Sequence, residues 1–147
     1  MIQVRCSTYI DKNRDEEVII YAHEKNQIVL DIENIVKSSS VELKGFINDE
    51  IVIINPVNVS CFISEDNKVY ALVDDKKYQI RYRLYQLEEM EINKNFIKIN
   101  QSCYANIKRI KKFESTFTGA LKVIFSNGYV DYISRRELKN VKERMGL

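Results

Sequence analysis

Four short clusters hold the side chains that could do chemistry. Ser134-Arg135-Arg136-Glu137 places a hydroxyl, two guanidinium groups and a carboxylate ahead of Leu138, Val141 and Met145. Serine followed three residues later by glutamate is a capping-box pattern that opens an amphipathic helix. Arg135 and Arg136 then fall in the first turn, where the helix dipole disfavours positive charge by about 0.3 to 1 kcal/mol each at exposed sites. A nearby phosphate offsets that penalty, since free N–H groups and guanidinium forks both face the anion. An arginine so placed also has the reach to take guanine O6 and N7 bidentately in a groove. The other reading is a pair of surface arginines satisfied by carboxylates such as Asp131.

Lys108, Arg109, Lys111 and Lys112, around Ile110, form a second cluster. Strand alternation divides them between two faces, so the four cannot all meet one ligand. Phosphate contacts suit some of them, and lysines that keep a strand edge from aggregating explain them as well. Asn67-Lys68 falls at the tip of an expected hairpin, and Asn100-Gln101-Ser102 follows an expected strand. Amides on such loops read adenine in the major groove, but Asn is also an ordinary turn residue.

Catalysis finds little support. The chain has no Gly-rich phosphate loop, no nucleophile elbow and no H-E-x-x-H. The pairs Asp74-Asp75 and Glu88-Glu89 are neighbours in sequence, so their carboxylates point different ways. His23 has no Cys or His partner at ligand spacing and reads as a solvated histidine. Cys6, Cys61 and Cys103 are tens of residues apart and read as buried or incidental thiols. No metal, no cofactor and no enzymatic activity are expected. Nine tyrosines and six phenylalanines fall mostly on strand positions, where aromatics pack a sheet. Without an RNA-recognition pattern among them, RNA is not an expected partner.

Charge is unevenly distributed. The net +2 divides into −3 for residues 1 to 43 (5 basic minus 8 acidic) and +5 for residues 44 to 147 (18 minus 13). Residues 94 to 147 alone carry +8 (12 minus 4). A basic C-terminal third points to a polyanionic partner, because clustered Lys and Arg release counterions from a phosphate backbone. An ordinary solvated basic face is the bland alternative.

These clusters need a frame. A chain of 147 residues makes one domain, or one domain with a small appendage, and buries enough surface to do without disulfides or metal. No apolar run is long enough to span a membrane and the start of the chain lacks a signal-peptide pattern, so a cytoplasmic location is expected. Alternation of Ile2, Val4, Cys6, Thr8 and Ile10 with polar residues predicts a strand, Val18 to Ala22 a second one, and Ile28, Ile32, Ile35 and Val36 a helix ending in Ser38-Ser39-Ser40. This β-β-α unit, residues 1–43, is too small to stand alone and is a candidate dimerisation or regulatory element.

From Val41 the pattern turns to short β-runs: 41–47, 51–54, 59–63, 69–73 and 78–82, separated by Asn48-Asp49, Asn55-Pro56, Glu65-Asp66-Asn67 and Asp74-Asp75. Leu84 and Leu87 mark a short helix, Phe96 to Ile99 a strand that Ile107, Ile110 and Phe113 continue, and Asn127-Gly128 a hairpin between 121–125 and 129–133. A last helix begins after Ser134. The fold class is therefore mainly β with accessory helices.

The run Asn67-Lys68-Val69-Tyr70, then residues 78–87 (YQIRYRLYQL), Phe96 to Ser102 (FIKINQS), Asn106, Ile110, Gly128 and Ser134-Arg135-Arg136, resembles the LytTR DNA-binding domain over about residues 44–145. The resemblance implies an elongated, layered β-sheet domain, residues 44–147, whose loops enter successive major grooves of double-stranded DNA. It implies contacts near Asn67, Asn100-Gln101 and Arg135-Arg136, with Ser102 and Lys68 beside them and Lys108, Lys111 and Lys112 on phosphates. Family members commonly carry His and a basic residue where this chain has Asn100-Gln101. Residues 1–43 do not look like a receiver domain, so the likeness is to short stand-alone LytTR regulators, which are often controlled by a membrane-protein partner. The expected protein is a transcriptional regulator acting as a homodimer. A non-enzymatic β-rich protein-interaction module with a basic face is the alternative.

Overall fold

The computed structural model describes residues 4–39, 42–90, 92 and 94–147. Its described residues form ten strands and three α-helices, so the chain is mainly β with accessory helices. In chain order they are α1 (Gln27–Ser39), β1 (Leu43–Ile47), β2 (Glu50–Ile54), β3 (Cys61–Glu65), β4 (Lys68–Val73), β5 (Lys76–Ile80), α2 (Leu84–Glu89), β6 (Phe96–Asn100), β7 (Cys103–Asn106), β8 (Ile110–Ser115), β9 (Leu121–Phe125), β10 (Val130–Ile133) and α3 (Arg135–Met145). Two 3-10 turns, Pro56–Asn58 and Ile107–Arg109, lie between β2 and β3 and between β7 and β8.

A seven-stranded sheet has the order β2-β1-β5-β4-β3-β7-β6, and β10-β9-β8 form a three-stranded sheet. The local sequence explains the tight connections. Asn48-Asp49 and Asp66-Asn67 all adopt positive φ in two-residue turns between paired strands, a conformation that Asn and Asp tolerate better than most residues.

The central strands are buried on both faces, because strand alternation feeds two cores. Phe62, Val69, Ala71, Phe96 and Tyr104 join Leu87 of α2 in one core. Cys61, Ile63, Leu72, Ile97, Ile99, Cys103 and Ala105 face Val123, Phe125, Ile133 and Val141 of the small sheet and α3 in the other. α3 lies along β6, with Arg144 donating to the Lys94 carbonyl at the far end.

Two expectations change here. The described residues from Val4 to Asn26 contain no strand, and Val4, Tyr9, Ile10, Val18, Ile19 and Tyr21 are exposed. Alternation makes a segment competent for a ladder, but a ladder needs a free partner edge, and none is engaged within this chain. Only the helix of the expected β-β-α unit is observed; Ile2, Ser40 and Val41 lie outside the described residues. α1 packs against the 3-10 turn Pro56–Asn58 and buries Val29, while Asn26 caps its start by accepting from the Val29 amide at 3.0 Å. The second change is a separate strand, β7, with Ile107–Arg109 in a 3-10 turn after it, so Lys108 and Arg109 are not strand residues.

Candidate nucleic-acid interface

Three loops meet at one end of the seven-stranded sheet. The β3–β4 turn carries Asn67, whose positive φ of 62° is the turn's own requirement, with Lys68 directly after it. The β6–β7 turn carries Gln101 and Ser102, and the Ser64 amide donates to the Ser102 carbonyl at 2.9 Å, laying the two turns side by side. The third is the β10–α3 junction, where the Ser134 amide donates to the Ile99 carbonyl at 2.9 Å. Asn67, Lys68, Asn100, Gln101, Ser102, Arg135 and Arg136 thus share one end of the molecule, although they come from two sheets and a helix.

Most of these side chains are uncommitted. Glu65, opposite Lys68 in the hairpin register, is taken by Lys77 at 2.7 Å. Among the described residues, Lys68, Gln101, Arg135 and Arg136 have no side-chain hydrogen bond or ion pair, and all four are exposed. Asp131 therefore does not neutralise the two arginines. Ser134 occupies the N-cap position of α3, but its hydroxyl makes no cap hydrogen bond; the expected capping box is not formed, and the helix start is met by the Ser134 carbonyl, which accepts from the Glu137 amide at 3.1 Å and the Leu138 amide at 3.0 Å.

Asn100 is the exception. Its Nδ2 donates to Asp131 Oδ1 at 3.0 Å and to the Tyr132 carbonyl at 2.8 Å, while its Oδ1 accepts from the Ser102 amide at 2.8 Å. The β6–β7 register shifts between Lys98 and Asn100, and a bulge of this kind re-aims a side chain out of the regular alternation. Asp131 also accepts from the Tyr132 amide at 2.8 Å and from the Tyr129 hydroxyl at 3.4 Å. Burial and then the Asp131 carboxylate push the Tyr129 phenol well up. The Cys103 thiol is raised too, first by its contact with Cys61 and then by burial, so it is a poor nucleophile.

Lys108, Lys111 and Lys112 lie apart from this end. β7 leads away from the tip turn for four residues before the 3-10 turn that holds Lys108, and Lys111 and Lys112 lie on β8, the edge strand of the small sheet two strands from β10. Lys108 and Lys111 are exposed. Lys112 pairs with Glu114 at 2.9 Å, and that ammonium holds the Glu114 carboxyl below the usual carboxylate range. Arg109 folds back, its guanidinium donating to the Val57 carbonyl at 3.0 and 3.3 Å.

An open groove beside the tip is lined by Ser64, Val69, Arg83, Tyr85, Lys98 and Gln101, with Glu88 at its α2 side. Arg83 and Lys98 add positive charge there and were not among the expected site residues. The only sequence signal they offered was basic charge itself, on either side of a helix.

The fold and this end together define a β-rich domain that presents cationic and amide side chains on loops, suited to a polyanionic partner. Residues 49–146 match the profile of the LytTr DNA-binding domain. The chain belongs to that family. It is 32% identical over 147 residues to an uncharacterized HTH-type transcriptional regulator of Staphylococcus aureus strain NCTC 8325 / PS 47, covering 98% of this chain and 99% of that protein. A similarly described protein of S. aureus strain MSSA476 is 31% identical with the same coverage. Among solved structures, a LytTr DNA-binding domain from Bacillus cereus superposes with a TM-score of 0.67 at 17% identity, covering 72% of this chain and 97% of that one. That likeness is one of fold. Among the described residues α2 and α3 are separated by five strands, so no helix-turn-helix is formed by that pair.

Proposed function

We propose that the protein is a transcriptional regulator that binds double-stranded DNA through the three tip loops. The observation that carries this reading is the convergence of Lys68, Gln101, Arg135 and Arg136, unpartnered and exposed, at one end of a chain of the LytTr DNA-binding family. Arg136 is the base reader and Arg135 its phosphate-facing neighbour. Gln101 offers an amide to a base edge, with Asn67, Lys68, Asn100 and Ser102 flanking it on the same loops. Successive major grooves receive the loops, while Lys108, Lys111 and Lys112, outside the three loops, meet phosphates.

The division into residues 1–43 and a DNA-binding domain of residues 44–147 belongs to the same proposal. So does a homodimer formed through the first unit. The exposed apolar side chains of Val4, Tyr9, Ile10, Val18 and Ile19 support an association role for that segment. Two copies on one duplex would gain affinity for paired half-sites through effective concentration.

Titration of the full-length protein with duplexes selected from a random pool, at several salt concentrations, tests the DNA reading. Log K should fall linearly with log salt by about 0.9 per phosphate contact. No binding at low salt sinks the proposal. Sedimentation at micromolar concentration tests the dimer separately, and a monomer there removes it.

A further inference from the structure

We infer that Asp131 is a positioning residue for DNA recognition, fixing the spacing between the Gln101-Ser102 loop and the Arg135-Arg136 turn by holding the side chain of Asn100. This rests on the DNA reading above. The two loops belong to different sheets, and no strand ladder joins β6 to β10. Backbone contact between them reduces to the Ser134 amide on the Ile99 carbonyl. Side chains supply the remainder. Asn100 commits both N–H groups to β10, one to Asp131 Oδ1 and one to the Tyr132 carbonyl, and turns its oxygen to the Ser102 amide. One amide therefore ties the tip turn to the strand that runs into α3.

Asn100 is held in that orientation from the β10 side. The carboxylate of Asp131 is itself fixed, its Oδ1 by the Tyr132 amide and its Oδ2 by the Tyr129 hydroxyl, which is half-buried beside the core. Being acceptor-only, the carboxylate admits one orientation of the Asn100 amide: Nδ2 toward β10 and Oδ1 toward Ser102. A negative charge at an anion-binding end is unfavourable for contact with a phosphate, so its placement makes sense as a fixture that faces the protein. Asn100 accordingly acts through position, and Gln101, exposed on the same turn, makes the contact.

Preference is measured as the affinity ratio between a duplex selected by the wild-type protein and a scrambled duplex of the same length. Asp131→Ala should reduce that ratio by about tenfold or more, the loss expected when a charge-assisted hydrogen bond is removed. It should also speed hydrogen exchange of the Ser102 amide in the free protein. Asp131→Asn keeps an acceptor for Asn100 and should retain both properties. Asn100→Ala should match Asp131→Ala, and the double variant should be no worse than either single one.

A Ser102 amide that stays protected in Asp131→Ala overturns the inference without reference to DNA. So does an unchanged ratio alongside a lowered melting temperature, which would make Asp131 merely structural. If Asp131→Ala does not fold, Asn100→Ala decides on the same two readouts. Failure of the wild-type protein to bind any duplex would count against the DNA reading, and the exchange measurement would still decide the tie.

Discussion

Around the 3-10 turns at the far end of the sheet, four polar side chains, those of Asn55, Asn106, Arg109 and Asn127, are each held by a partner inside the protein. Asn106 is 2% exposed, donates to the Val59 carbonyl at 2.9 Å and accepts from the Lys108 amide at 3.0 Å. Asn55 caps the first 3-10 turn, Arg109 grips Val57, and Asn127 donates to the Asp74 carbonyl at 2.9 Å. At the tip, the same residue types include Gln101, Arg135 and Arg136, which have no such partner among the described residues. Asparagine and arginine are thus staples at one end of the sheet, while the arginines at the other end are left uncommitted. Geometry decides which, and residue type does not.

Breaking the staple end should have the largest effect. Asn106→Ala strands a buried carbonyl and a backbone N–H, and each unsatisfied group costs about 1 to 3 kcal/mol. Urea unfolding should show a loss of about 2 to 3 kcal/mol, while the folded fraction keeps its preference among duplexes. A change in preference with stability intact would put Asn106 on the contact side of the comparison.

Arg136→Ala is the mirror experiment. Affinity for the selected duplex should fall by about 1 to 3 kcal/mol and affinity for random duplex much less, with stability moving by no more than about 0.5 kcal/mol. Equal losses on both duplexes would demote Arg136 to a phosphate contact. Loss of cooperative unfolding would make it a staple.

Much of this division was legible in the sequence. Asn48-Asp49, Asp66-Asn67 and Asn127-Gly128 announced their turns, and the sequence put two arginines in a helix's first turn, a placement that local stability alone does not favour and that the fold leaves exposed. β7 was not announced, because Cys103, Tyr104, Ala105 and Asn106 are buried on both faces and leave no alternation to read. The N-terminal alternation misled for the converse reason: period two describes a surface, while a strand also needs a neighbour. The Asn100–Asp131 tie spans 31 residues and two sheets, a distance over which no local pattern reports. The Ser134-Glu137 spacing likewise suggested a cap that the serine hydroxyl does not make.

Lys111 should show a smaller and purely electrostatic effect. It is exposed, with no ion pair among the described residues. If it meets a phosphate, Lys111→Ala lowers the slope of log K against log salt by about 0.9 and weakens cognate and random duplex alike. An unchanged slope would assign the lysine to guarding the strand edge, the other role its position suits.

Lys112 should show the smallest effect, because its charge is already engaged. Glu114 sits 2.9 Å from Lys112 and 3.6 Å from Lys122, and Lys112 is the chief reason its carboxyl titrates below the usual range. A lowered folded pKa means that the pair adds stability above the carboxylate's unfolded titration range, and that this is lost as pH falls through the folded value. Lys112→Ala should therefore lower the melting temperature slightly at neutral pH and low salt, with Lys122 retaining part of the interaction. The difference should close in acid and in high salt. The same geometry predicts the opposite sign for DNA: Glu114→Gln frees the Lys112 ammonium and removes a negative charge, so duplex affinity should rise and the salt slope steepen. An affinity that falls in Glu114→Gln would show that the carboxylate holds Lys112 in position for a phosphate, placing this pair with the contacts of the tip.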